Sequence, residues 1–293
     1  MNIYDCLMYF DEDMILDLRF HVLNKFIKKF VVCESIYNHN GTKKKLNFNI
    51  NNFKKFKDKI DYIILEDLPK NIESISPNDN EIEKNSKILT NALKRENYQR
   101  NGLLHGVFKA DNEDLIIISD ADEIPNLENF KIKNKLSFFI QKIFFYKFNL
   151  EQSEFTWIGS KACKKKHMID PQWLRNIKGK SYPLWRIDTL FSKKKYFNIN
   201  YVNNGGWHFT NIKSPEDLYL KHSNYLHHLE FEKSGIDIDE MKKIIEEKRV
   251  LYNLNTDKKE NKWNSSIALN KAKDNVLPQY LIQNKNKYKE WLA

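Results

Sequence analysis

Cysteine and arginine are scarce in this chain, and long apolar runs are missing altogether. Three cysteines in 293 residues (Cys6, Cys33 and Cys163) are odd in number and show no Cys-x-x-Cys spacing. That excludes a disulfide framework and a zinc cluster, and it fits a reducing, cytoplasmic setting. A membrane-spanning helix needs about 20 consecutive apolar residues. The most hydrophobic stretch here, Leu136–Leu150, is broken by Gln141, Lys142 and Lys147. The opening MNIYDCLMYFDED has no basic start and acquires acids early, unlike a secretory leader. No long linker and no internal repeat is found. Only six of the 49 basic residues are arginine (Arg19, Arg95, Arg100, Arg175, Arg186 and Arg249). The net charge of +10 raises nucleic acid or an anionic surface as a partner. Its lysine-heavy make-up, alongside many Asn and Ile, instead matches a bias towards A/T-rich codons. No basic stripe with interleaved aromatics occurs, so a nucleic-acid-binding protein is a distant alternative.

What remains is the composition of an ordinary globular protein, 41% hydrophobic and 30% charged. The length allows one large domain or two small ones. Strand-like and helix-like segments alternate in the first half. Ile3–Phe10 reads as a strand, followed by a helix with acids at Asp11, Glu12 and Asp13 in its first turn and apolar residues at Ile15, Leu18, Val22 and Phe26. Phe30–Cys33 and Asp61–Leu65 read as buried strands, Glu81 to Lys109 as a helix with a break near Asn101-Gly102, and Asp114–Ser119 as the clearest buried strand. Such a pattern predicts an α/β fold with a mostly parallel central sheet flanked by helices. Ligands then bind beyond the carboxyl ends of the strands, where Glu34, Glu66-Asp67 and Asp120/Asp122/Glu123 lie. In the second half, Leu136–Leu150 reads as paired strands, Phe155–Arg186 as loop-rich, Tyr196–Val202 as a strand, and the chain from Ser214-Pro215 as helical. The expected organisation is a catalytic domain over 1–235 with a helical extension over 236–293.

Ser119-Asp120-Ala121-Asp122-Glu123-Ile124-Pro125 is the sharpest chemical feature. Carboxylates at i and i+2 after a buried strand converge, and hard cations such as Mg²⁺ or Mn²⁺ prefer oxygen ligands. A cation there would bridge the phosphates of a nucleotide-sugar and neutralise the departing diphosphate. The competing reading is a solvated acidic turn. His208 follows Gly205-Gly206-Trp207. A His beside Trp is ordinarily a packed residue, but the glycines permit a placed imidazole that would complete the metal site. In Lys94–Asn101, Arg95 and Arg100 either pair with neighbours on the helix surface or reach the diphosphate, which suits a guanidinium fork.

These segments resemble glycosyltransferase family 17. The resemblance is carried by Ile3-Tyr-Asp-Cys6, Asp17-Leu-Arg-Phe-His21, Phe30-Val-Val-Cys-Glu-Ser35, Gly41 with Leu46 and Phe48, and Leu65-Glu-Asp-Leu-Pro69. It continues through Arg95-Glu96, Arg100-Asn101, Ile116–Pro125 and Gly206-Trp-His208, so that it covers about residues 3–230. The family's named member is the animal β-1,4-mannosyl-glycoprotein 4-β-N-acetylglucosaminyltransferase. The resemblance implies a GT-A-like nucleotide-diphospho-sugar transferase fold, inverting transfer and a UDP-sugar donor. By position, Asp120 and Asp122 match the metal and diphosphate motif and His208 the Gly-Trp-His segment. The sequence shows no apolar run of anchor length and no cysteines of the lumenal kind, so a departure from the animal enzymes in both is expected.

The expectation is a cytoplasmic, metal-dependent glycosyltransferase with room for peripheral contact at the inner face of a membrane. It moves a sugar such as N-acetylglucosamine from a UDP-sugar to a hydroxyl of a glycan or lipid-linked acceptor. Asp120, Asp122 and His208 hold Mn²⁺ or Mg²⁺; Arg95, Arg100 and Asp120 meet the diphosphate; and Glu34 contacts the donor's base or ribose. Asp188 leads as the base that takes the acceptor proton, with Glu151, Glu154 and Asp170 competing. Trp157, Trp173 and Trp185 either stack on a sugar ring or fill the core. The rival enzyme is a metal-dependent phosphoryl transferase or hydrolase built on the same carboxylates.

Overall fold

The computed structural model describes residues 1–293 apart from 181, 183–184, 197, 225–227, 254–262 and 264. Among these residues ten strands join in one sheet: β1 (Ile3–Met8), β2 (Lys29–Ser35), β3 (Ile60–Leu65), β4 (Leu115–Ser119), β5 (Glu123–Pro125), β6 (Leu136–Phe145), β7 (Leu150–Lys164), β8 (Ile199–Val202), β9 (Gly206–Thr210) and β10 (Asn270–Lys271). The main order is β3-β2-β1-β4-β7-β6-β9-β5, with β10 on β7 and β8 on β6. Strands β3, β2, β1 and β4 run parallel, so their carboxyl ends share one edge. This is the expected mixed α/β architecture with a mostly parallel central sheet. Strand β4, Leu-Ile-Ile-Ile-Ser, is buried along its whole length, because layers cover the sheet on both faces.

One layer contains α1 (Asp13–Leu23), whose Ile15, Leu16, Leu18, Phe20 and Leu23 are buried. The other contains α2 (Glu81–Gly102), α3 (Leu104–Val107) and α4 (Pro171–Asn176). Helix α2 starts at a capping box: Asn80 Oδ1 accepts from Glu83 N at 2.9 Å, and Glu83 Oε2 accepts from Asn80 N at 3.0 Å. It ends at Gly102, close to the break read from Asn101-Gly102, and this carries Gln99 and Arg100 to the sheet's carboxyl edge. The short α5 (Asp188–Phe191) is followed by α6 (Pro215–Asn224), α7 (His228–Ser234) and α8 (Ile238–Glu246). Ser214 Oγ accepts from Asp217 N at 3.1 Å, the N-cap expected at α6.

Two segments differ from expectation. Leu136–Leu150 is not a hairpin in itself: it holds β6, and its partner β7 extends through Leu150–Lys164, well into the stretch expected to be loop. The polar residues Gln152, Ser153, Glu154 and Thr156 sit mid-strand, three of them exposed, and that hides the strand from a search for apolar runs. The chain after 235 returns to the sheet: β10 pairs with β7, and Leu277, Leu281 and Tyr288, together with α9 (Gln279–Gln283), join the core around α1.

Candidate active site

A cavity of about 410 Å³ opens at the carboxyl ends of β1 and β4, a size typical of small-ligand sites. Tyr9, Phe10 and Glu12 reach it from the turn after β1, and Asn38, His39 and Lys44 from the loop after β2. Glu96, Gln99 and Arg100 come from α2, and Asp120 and Asp122 from the turn after β4. Trp157, His208, Thr210, Asn211, Lys221, His222 and Tyr252 close the far side.

The Asp120–Glu123 turn is built from below. Arg19 of α1, fully buried, donates Nη1 to the carbonyl of Glu123 at 2.6 Å and to those of Asp120 and Ala121 at 3.3 Å. Its Nε and Nη2 hold the buried carboxylate of Asp5 in β1 at 2.7 and 2.5 Å. Glu123 Oε2 accepts from Asp120 N at 3.0 Å, closing the turn. The pairing of β5 with β9 then sets Glu123 opposite His208. Gly206 allows this register: its φ is +130°, and a Cβ there would lie 2.1 Å from the Ile124 carbonyl.

Asp120 sits between two guanidinium groups. Arg100 Nη2 approaches Oδ1 at 3.0 Å and Arg175 Nη2 approaches Oδ2 at 2.9 Å. Arg175 also reaches Glu123 Oε2 at 2.8 Å and Oε1 at 3.1 Å, and Trp157 Nε1 donates to Glu123 Oε1 at 2.7 Å. Burial opposes the charge on Asp120, yet the two arginines outweigh it and hold the carboxyl below the usual range. Asp122 lies 3.5 Å from His208 Nε2 and 4.0 Å from Lys221 Nζ. Burial alone would lower the His208 pKa, but Asp122 raises it above the ordinary imidazole value.

Several buried polar atoms of this cavity have no hydrogen-bond partner among the described residues: Arg100 Nε, His208 Nδ1 and Asn38 Oδ1. Unsatisfied buried groups cost about 1–3 kcal/mol each. Their concentration at one opening marks the place where a polar ligand would complete them.

The expected residues divide. Asp120, Asp122, His208 and Arg100 come together at the cavity, and Trp157 with them, its ring centroid 5.3 Å from that of His208. Arg95 does not line it. Arg95 donates to the His39 carbonyl at 3.0 Å beneath Gly41, where φ is +99° and a Cβ would meet the guanidinium at 2.7 Å. Glu34 is fully buried away from the opening. Its carboxylate organises the next loop, accepting from Asn47 N, Phe48 N, the Tyr62 hydroxyl and Lys44. Its four donors leave no room for a donor base or ribose. Asp188 is exposed, paired with Arg186 at 2.6 Å and Lys195 at 2.8 Å, and is not among the cavity's lining residues. A place between two motifs in sequence does not carry over to space here. Its competitors are also elsewhere: Glu151 pairs with Lys142 at 2.5 Å, Asp170 caps α4 and Glu154 is exposed. Trp173 is buried in the core and Trp185 is exposed.

The donor set does not match the expected metal site. Among the described residues no group of three His, Cys, Asp or Glu side chains is arranged to hold a metal ion. Asp122 and His208 adjoin, but both oxygens of Asp120 are engaged by arginine. Asp120, Asp122 and His208 share the cavity, but with Asp120 held by two arginines they do not form a three-ligand group.

Arg175, Lys221 and Glu12 line or support the site without having stood out in the sequence. The scarcity of arginine was a usable signal for Arg175. Glu12 reads in sequence as a first-turn helix acid, whereas it stands just before α1 and faces the cavity.

The family model of glycosyltransferase family 17 matches residues 1–168, more than half of the chain. The chain belongs to that family. Family 17 consists of hexosyltransferases, so the protein is a glycosyltransferase, and its reaction requires a sugar donor and an acceptor. Among solved structures, the chain is similar to the galactosyltransferase LgtC in complex with donor and acceptor sugar analogs, at 12% identity over 70% of this chain and 74% of that one, with a TM-score of 0.29. No curated protein matches it. Within this family 17 chain, the matched region supplies β1, β2, β4, Arg100 and the Asp120–Glu123 turn, while Arg175 and His208 come from beyond it.

Proposed function

We propose that the cavity binds a nucleotide-diphospho-sugar and transfers its sugar to a hydroxyl of a glycan or lipid-linked acceptor. The observation that carries this reading is the group of unpartnered buried polar atoms at the carboxyl edge of the sheet, set among Arg100, Lys221 and Lys44. A ligand rich in hydroxyls and bearing two phosphates matches both the polar atoms and the cations. Arg100, with Nε unused, offers a donor to a phosphate oxygen, and Lys221 adds a second positive charge as the diphosphate departs. Asp120 and Glu123 keep Arg175 and Arg100 in register.

Proton removal from the acceptor falls to Glu12 in this reading. Of the four cavity carboxylates, Glu96 pairs with Arg100, Asp120 with Arg100 and Arg175, and Asp122 with His208 and Lys221. Glu12 has no cationic side chain within ion-pair distance among the described residues; its Oε2 accepts from Phe10 N and Asp11 N at 2.9 and 3.0 Å. Burial raises its pKa, which strengthens it as a base. In the inverting course implied by the resemblance, the acceptor oxygen bonds to the sugar's anomeric carbon as its proton passes to Glu12. The bond to the diphosphate breaks, and its electron pair stays on the phosphate oxygen.

The test is calorimetry of the full chain against UDP-N-acetylglucosamine, UDP-glucose and UDP-galactose, with UDP alone as reference. Binding of UDP and at least one sugar, weakened in Arg100→Ala, is expected. If neither UDP nor any UDP-sugar binds, the donor assignment fails.

A further inference from the structure

Large apolar side chains seldom stand almost fully in water as a group. Trp185 is 76% exposed, Ile187 68% and Phe191 85%, all within seven residues. The chain on either side of them is fastened at two points. Lys178 N donates to the Lys194 carbonyl at 3.0 Å, and Trp173 Nε1 donates to the Lys193 carbonyl at 2.7 Å. Trp173 lies on α4, the helix that sends Arg175 to Asp120. The apolar group is therefore attached next to the site.

Charge surrounds it with one sign. Residues 178–195 hold six basic side chains and one acid, Asp188. Asp188 is taken up by Arg186 and Lys195. Lys178, Lys180, Lys193 and Lys194 are exposed and make no ion pair among the described residues. Exposed aromatic and aliphatic groups flanked along the chain by exposed lysines match the interface of an anionic bilayer. Trp and Phe settle there at headgroup depth, and each nearby lysine strengthens attraction to anionic lipid.

We propose that Trp185, Ile187 and Phe191, with the lysines around them, form a docking surface for an anionic lipid bilayer, holding the site against the membrane. This rests on the exposed patch and its charge, and it stands whether or not the donor assignment holds.

Co-sedimentation of the full chain with extruded vesicles tests it, using phosphatidylcholine alone or mixed with phosphatidylglycerol. The chain should pellet with the mixed vesicles at low salt, stay in solution with phosphatidylcholine alone, and be released by high salt. Trp185→Ala/Phe191→Ala should lower partitioning about tenfold, with an unchanged unfolding midpoint because both side chains are already in water. Lys180→Glu/Lys194→Glu should abolish the lipid selectivity. Failure of the parent chain to pellet with mixed vesicles at low salt overturns the proposal, as does equal pelleting of the apolar double variant. A dimer by sedimentation velocity that the apolar variant dissolves would assign the patch to a second copy instead, and also overturns it.

Discussion

Arg19 Nη1 donates to the Glu123 carbonyl at 2.6 Å while the same guanidinium holds Asp5, so one buried cation links α1, β1 and the turn that carries Asp120. Arg19→Ala leaves Asp5 charged and unpaired in the core, and stability should fall by about 3–5 kcal/mol. The shift would be read from the urea midpoint at unchanged slope. Asp5→Leu/Arg19→Met removes both charges and should recover much of that loss. Nucleotide-sugar affinity should not recover with it, since the turn's carbonyls still lack their donor. Parental affinity in the double variant would separate Arg19 from the site.

Arg175 spans Asp120 and Glu123 with two nitrogens, a geometry lysine cannot reproduce. Arg175→Lys should weaken donor binding about ten- to a hundredfold, the loss of one or two charge-assisted hydrogen bonds. Calorimetry with UDP measures it, and an unchanged affinity would make Arg175 a purely structural residue.

Glu12→Gln keeps the shape and the backbone hydrogen bonds while removing the base. Turnover should fall about a hundredfold or more with donor affinity unchanged. A matching loss of donor affinity would show that Glu12 contacts the donor instead of the acceptor proton.

His208 and His222 should respond to pH in opposite senses. Burial lowers and Asp122 raises the His208 pKa, and the net shift is upward from 6.5. Its stabilising contribution is therefore complete below 6.5 and lost as pH rises through the higher folded value. Burial and Lys221 push His222 down to about 3. It stays neutral in the fold, so stability is lost as pH falls below 6.5, where the unfolded chain takes up the proton. Imidazole NMR titrations should show His208 titrating lower in Asp122→Asn, and His222→Phe should flatten the acid limb of the stability profile.

Two glycines with positive φ should differ sharply. Gly206→Ala places a Cβ against the Ile124 carbonyl and Asn126 N, so β5 and β9 must separate and His208 loses its register. A loss above about 3 kcal/mol and loss of donor binding are expected. At Gly235, where φ is +70°, an added Cβ would meet nothing within 4 Å; there Ala should cost only about 1 kcal/mol. Thermal unfolding of the two variants compares them directly.

The parallel half of the sheet was legible because its strands are continuous apolar runs ended by acids. Asp120 and Asp122 follow from that pattern, whereas Arg100 lies on α2, where the sequence leaves a helix-surface pair and a reach to the site open, and the structure holds it against both Glu96 and Asp120. His208 came from its glycines and the family resemblance. Glu34, Arg95 and Asp188 meet partners that lie mostly in loops, away from the cavity lining, and neither propensity nor periodicity encodes which loop a side chain meets. Arg175 depends on α4 folding back over β7, a strand whose polar middle concealed it. Lys221 and Tyr252 reach the cavity from the second half, where the pattern weakens.

Cys6 in β1, Cys33 in β2 and Cys163 in β7 are all buried, and burial pushes the thiols of Cys33 and Cys163 up to about 12 and that of Cys6 well above its usual value. None can form a reactive thiolate in the closed fold. Each is therefore a silent clock: an added thiol reagent reacts only when its strand opens, so labelling rates at the three positions would time how often each part of the sheet comes apart.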